Sequence, residues 1–164
     1  MATATVKMLY CVRAATGVDS GVIQAIADAI SALPSAILPS ELAGGDMKAT
    51  LDGVAQTIFA IDTAGADPDD LYVTTGTEGD VDLAVWPGNG ETQDVSAGQS
   101  VQPNITIDFE YAQNLSLWDY DTVSSDDLLG SVTMLAEEAG QGEIAKLATS
   151  DVEGSAYYVT YEVN

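Results

Sequence analysis

Apolar and polar residues alternate along short runs of this chain, and clusters of Gly, Pro, Asp and Ser separate the runs. Two runs are clear: Ile105, Ile107 and Phe109 alternate with Thr106, Asp108 and Glu110, while Tyr157, Val159, Tyr161 and Val163 alternate with Tyr158, Thr160 and Glu162. A period of two gives a segment one buried and one wet face, which is the signature of a β-strand. Over 5–13 the same pattern groups Val6, Met8, Tyr10 and Val12, with Leu9 and Cys11 making the second face partly apolar. Further strands are expected at 54–61, 71–75, 81–86, 104–109, 114–119, 129–134 and 156–163, eight with the first.

The period changes after Gly17, where Val22, Ile23, Ile26, Ala29, Ile30 and Leu33 recur at helical spacing. Asp19 or Ser20 can cap this helix and Pro34 closes it, so an amphipathic helix is expected near residues 20–33. No basic residue decorates its polar side, which makes the apolar stripe a packing face instead of a membrane-binding one. From Pro34 to Asp46 the prolines, serines and Gly-Gly mark a loop, and a second, short helix is expected near 143–148. These elements predict an all-β, eight-stranded antiparallel sandwich with an inserted helix. The organisation expected is a single domain over 1–164, with a strand at 5–13, a helical insertion at 14–47 and the remainder of the sandwich at 52–164.

Composition permits such a core, because 46% of residues are hydrophobic and 18% charged, unlike a disordered chain. Charge narrows the partners. Twenty-six Asp and Glu face four Lys and Arg, giving a net charge of −22 with no histidine, so the surface repels nucleic acid and anionic lipid. The lone Cys11 excludes an internal disulfide and a soft-ligand zinc site, and is expected to be a buried strand residue. The apolar run from Met8 to Val12 is too short for a signal-peptide core or a membrane span.

The carboxylates are clustered: Asp62, Asp67, Asp69 and Asp70 fall in one expected inter-strand loop, and Asp119, Asp121, Asp126 and Asp127 in another. Side chains two apart at a strand end share a face, so Asp119 and Asp121 project together, and a short loop can fold Asp127 back toward them. Three converging carboxylates repel one another unless a cation intervenes, and a hard cation such as Ca²⁺, with six to eight oxygen ligands, suits them. A solvated acidic loop is the alternative, above all for 62–70. An EF-hand is excluded, since its fifth, sixth and twelfth positions are Val123, Ser124 and Gly130. A nucleotide-sugar site built on Asp-x-Asp would need an alternating βα pattern that is absent.

Residues 118–130, Trp-Asp-Tyr-Asp-Thr-Val-Ser-Ser-Asp-Asp-Leu-Leu-Gly, resemble the third calcium loop of C2 domains. Asp69-Asp70-Leu71-Tyr72-Val73 is similar to the motif that closes that family's first calcium loop. The resemblance implies a C2-like β-sandwich in which Asp70, Asp119, Asp121 and Asp127 ligate calcium, with Tyr120 and Ser124 adding backbone or hydroxyl oxygen. The family's further aspartate falls on Ala64, leaving Asp62 or Asp67 as substitutes, with Asp69 beside them. The lysines that family members use for phosphoinositides are absent from 81–86.

The expected function is therefore a non-enzymatic calcium-binding module with a structural or assembly role, suited to an extracellular or surface particle where calcium is millimolar. Its partners would be calcium ions and a second copy or another protein. Calcium-dependent membrane docking is the alternative, and it is expected to be weak because Val123 is the sole apolar residue at the loop tip and basic residues are scarce. Catalysis is disfavoured: histidine and a Gly-x-Ser-x-Gly elbow are missing, and Glu137 with Glu138, or Asp108 with Glu110, read as solvated pairs.

Overall fold

The strand with the strongest alternation, 156–163, lies at the centre of its sheet. The computed structural model describes residues 1–15, 28–38 and 67–164. In chain order its strands are β1 (Ala2–Arg13), β2 (Ala36–Ile37), β3 (Asp69–Thr74), β4 (Gln93–Val95), β5 (Ser100–Val101), β6 (Ile105–Phe109), β7 (Ala112–Asp119), β8 (Asp127–Leu135), β9 (Glu143–Thr149) and β10 (Ala156–Val163). One sheet runs β2-β9-β10-β1, with β5 and β6 both pairing the far edge of β1. The other runs β4-β3-β7-β8, and every pairing is antiparallel.

Between the sheets lies a core of Val6, Leu9, Cys11, Tyr157, Val159, Tyr161 and Val163 from one layer, against Leu71, Val73, Leu115, Leu117, Leu129, Val132 and Met134 from the other. Each such Leu, Val or Met side chain contributes roughly 1.5–3 kcal/mol when taken out of water. Cys11 is buried, as its place in the first strand suggests. The alternation read over 5–13 is interrupted, however. A register shift between Val6 and Met8 flips the parity of β1, so Val6, Leu9 and Cys11 face the core while Met8, Tyr10 and Val12 face outward. That outward face is covered as well: Val12, Ala145, Ala156 and Tyr158 pack with Ile30, Leu33 and Ile37.

Of the helix expected at 20–33, residues 28–31 are described and helical, while its other positions, the strand expected at 54–61 and Asp62 lie outside the described residues. Two expectations are corrected. Residues 143–148 belong to strand β9, paired along its length with β10; Glu, Ala, Lys and Leu favour helix locally, and packing on both faces of the sheet overrides them. The segment 81–86 is not a strand, because Asp80 caps a 3₁₀ turn at Val81–Leu83 and only Trp86 bridges to Val73. Leu83 is accordingly 64% exposed. The described residues also carry more strands than the eight expected, since β2, β4 and β5 are only two or three residues long and have no apolar run to announce them. No helix among the described residues is long and apolar enough to cross a membrane.

Strand β8 closes one flank of the sandwich through a bulge. Leu117 pairs with Gly130 but Trp118 pairs with Leu128, so Leu129 is the extra residue. Gly130 has φ +139°, and a Cβ placed there would stand 2.5 Å from Thr149 N and 2.7 Å from the Ala148 carbonyl carbon. The glycine thus lets the backbones of β8 and β9 touch. Lys146 Nζ donates to Thr133 O at 2.6 Å and Ser155 Oγ to Leu129 O at 2.7 Å, capping carbonyls of this strand. Gly130→Ala is expected to destabilise the fold by about 3 kcal/mol through backbone strain and the clash with β9. Urea unfolding measures this, and a loss below about 1 kcal/mol would contradict the close approach.

Candidate metal centre

Strand β3 opens with Asp69 and Asp70, whose side chains leave on opposite faces. Asp70 is exposed and pairs across β3–β4 with Asp94. Its N–H donates to Asp119 Oδ1 at 2.6 Å, and its carbonyl accepts from the Tyr120 N–H at 3.0 Å. Asp119, the last residue of β7, pairs with Leu71 on one side and with Asp127, the first residue of β8, on the other. The turn between them is tied internally: the Asp121 N–H donates to Asp126 Oδ1 at 3.1 Å, Ser124 Oγ to Asp121 Oδ2 at 3.0 Å, and the Tyr72 hydroxyl to Asp126 Oδ2.

The field at this end is strongly negative. Burial first, then the charges of Asp70, Asp121 and Asp127, push the Asp119 carboxyl up to about 6 against the opposing hydrogen bond from Asp70 N–H. Asp70 is raised by burial, by its hydrogen bond with Asp94 and by the charges of Asp94 and Asp121. Asp127 is raised by burial and by Asp121 and Asp126. Glu153, in the turn between β9 and β10, is raised by burial and then by Asp127 and Asp121, which places that turn at the same end.

The structure therefore brings together Asp70, Asp119, Asp121 and Asp127, with Tyr120 and Ser124 in the same loop. Asp67 is exposed just before β3. Asp69 faces elsewhere: only 1% exposed, it accepts from the Ala15 N–H at 2.8 Å on Oδ1 and from the Tyr157 hydroxyl on Oδ2. Burial drives its carboxyl up to about 7, although Tyr157, Ala15 and Arg13 pull the other way. Asp94 and Glu153 escaped the sequence reading. Asp94 sits on a three-residue strand, and a turn reading Asp151-Val152-Glu153-Gly154 gives no hint of which sandwich end it occupies.

The donors are all oxygens, as a hard cation requires. Yet among the described residues no three acidic side chains, as they stand, converge closely enough to hold one ion. The donor chemistry fits calcium, and the side-chain arrangement is not preorganised for it. The pair Glu137 and Glu138, read as solvated, is corrected: Glu138 is 8% exposed, meets Lys146 Nζ at 2.6 Å and accepts from Tyr161 and the Leu135 N–H. Burial opposes its charge, but these three donors together hold its carboxyl below the ordinary value. Asp108 and Glu110 are exposed as expected.

No family model and no curated protein matches this chain. Among solved structures it is similar to human GIVD cytosolic phospholipase A2 in complex with methyl gamma-linolenyl fluorophosphonate, and to the same enzyme with that inhibitor and terbium chloride. Both alignments have 13% identity and a TM-score of 0.38, covering 99% of this chain and 17% of the enzyme. At that score the likeness carries no argument about function.

Raised carboxyls fix the sign of the pH dependence. Between about 4 and 7 the folded chain holds protons on Asp69 and Asp119 that the unfolded chain has released, so stability is greatest at the acid side and falls as pH rises through 6 and 7. Without divalent ions the melting temperature is expected to be higher near pH 5 than near pH 8, and Asp69→Asn should flatten the slope. A wild-type curve that rises over this interval would refute the assignment.

Proposed function

We propose that the loop end of this sandwich binds calcium and that the protein is a non-enzymatic, C2-like module with a structural or assembly role at an extracellular or surface site. The observation that carries the reading is the approach of Asp70, Asp119, Asp121 and Asp127 from three strand ends into one field, in which each of the described shifts disfavours the charged form. A divalent cation removes that penalty. Because the side chains must rearrange around the ion, affinity belongs to the weak range of roughly 10⁻⁴–10⁻³ M typical of extracellular modules. That range is met where calcium is millimolar.

One observation favours the second reading, docking on a membrane. Val123 is 95% exposed in the β7–β8 turn and Val152 is 76% exposed in the β9–β10 turn, so two apolar tips flank the acidic end. Against it, among the described residues Lys7 and Lys146 are ion-paired and Arg13 is buried, and the whole sequence holds only four Lys and Arg to attract anionic headgroups directly.

Calcium at a hundredfold excess over its dissociation constant is expected to add about 2.7 kcal/mol, a rise of several degrees in melting temperature over a chelator control. Asp121→Asn should abolish the rise and leave the chelated protein as stable or more so, since Asp121 burdens Asp70, Asp119, Asp127 and Glu153 alike. Equal melting temperatures with calcium and chelator would refute the cation reading. Light scattering with calcium tests assembly, and sedimentation with phosphatidylserine vesicles tests docking.

A further inference from the structure

Tyr72 lies on β3 with its ring on the face away from the sandwich core, directly paired with Trp118, and yet it is fully buried. Gly79 explains the burial: a Cβ there would fall 2.7 Å from the Trp118 ring and 3.1 Å from the Tyr72 hydroxyl, so a bare backbone closes over both rings. The hydroxyl emerges at the loop end and donates to Asp126 Oδ2. The other oxygen of that carboxylate, Oδ1, accepts the Asp121 N–H at 3.1 Å. One carboxylate thus links a rigid, packed side chain to the backbone of the loop.

We infer that Tyr72 is a positioning residue for the β7–β8 loop, holding the Asp121 backbone through Asp126 and so fixing where the Asp121 and Asp127 carboxylates stand. The inference rests on the calcium reading of those two residues. It also assigns neighbouring aspartates different work. Asp126 has a donor on each oxygen and serves as a strut, whereas Asp127, one residue on, starts β8 beside Asp119 and belongs to the cation field. Ser124, donating to Asp121 Oδ2, ties the same residue by its side chain. Groups that orient metal ligands without touching the metal commonly change affinity by about 10–100-fold when removed.

Tyr72→Phe tests this, because it deletes one hydroxyl, keeps the ring between Trp118 and Gly79, and leaves the charge unchanged. Calcium titration by calorimetry is expected to give a dissociation constant raised about tenfold, with faster hydrogen exchange at the Asp121 amide in chelator. Asp126→Ala should behave likewise. Asp126→Asn keeps an acceptor for the Asp121 N–H and can donate to the Tyr72 oxygen, so it should retain most of the affinity. The inference is overturned if Tyr72→Phe matches the wild type in either affinity or exchange, or if Asp126→Asn loses as much affinity as Asp126→Ala, which would make charge the cause. A wild type that ignores calcium defeats the site reading itself, and unaltered Asp121 exchange in Tyr72→Phe separately defeats the strut.

Discussion

The register of β4, β3, β7 and β8 is the constraint on which the acidic end depends. It sets Leu71 opposite Asp119, Asp119 opposite Asp127 and Asp70 opposite Asp94. The charges this register gathers disfavour one another, which is part of what raises the Asp70, Asp119 and Asp127 carboxyls. A slip of one residue would part them, but it would also turn Leu71, Val73, Leu115 and Leu117 out of the core, at roughly 1.5–3 kcal/mol each. The apolar face wins, and the charges are kept where they are by residues that never touch them.

Tyrosine hydroxyls supply the other fixed points. Tyr157 reaches Asp69, Tyr158 donates to the Pro34 carbonyl at 2.7 Å, Tyr161 to Glu138 at 2.7 Å, and Tyr72 to Asp126. Each ring is buried while its polar tip reaches a segment outside its own strand. β10 is thereby fastened to β3, to the chain ahead of β2 and to the turn after β8, and β3 to the loop that follows β7. A buried hydroxyl tolerates few alternatives to its acceptor, so these ties add directionality to a core that hydrophobic burial alone would leave less defined.

Much of this could be read from the chain. Period-two runs located β6, β7, β8 and β10, and the loop expected between Asp119 and Asp127 is the turn that joins β7 to β8, where the two residues pair, although no three acidic side chains among the described residues converge closely enough to hold one ion. Gly130 stood in the family-like motif, though its reason, backbone contact with β9, needs the sheet order. What escaped has physical causes. β9 is covered on both faces and composed of helix formers, so neither periodicity nor propensity marks it. The parity change in β1 follows from a bulge that no single residue announces. Asp69 and Asp70 are equal in sequence, and only the pleat sends one into the core and the other to the loop end.

The disposition of the basic groups reaches beyond the fold. Lys7 is held at 2.6 Å between Glu143 and Glu162, Lys146 reaches Glu138, and Arg13 donates to the Gly154 carbonyl. With these three, the basic residues among those described, bonded within the molecule, and with 26 Asp and Glu against four Lys and Arg in the whole sequence, the protein is a strongly acidic polyelectrolyte. Its hydration and spacing in solution are then properties of the counterion cloud as much as of the polypeptide: at about 0.15 M salt the cloud is about 8 Å thick, and at about 0.01 M it swells to about 30 Å. Crowded copies would keep apart in dilute buffer and draw near in brine, with mobile cations acting as the lubricant between them.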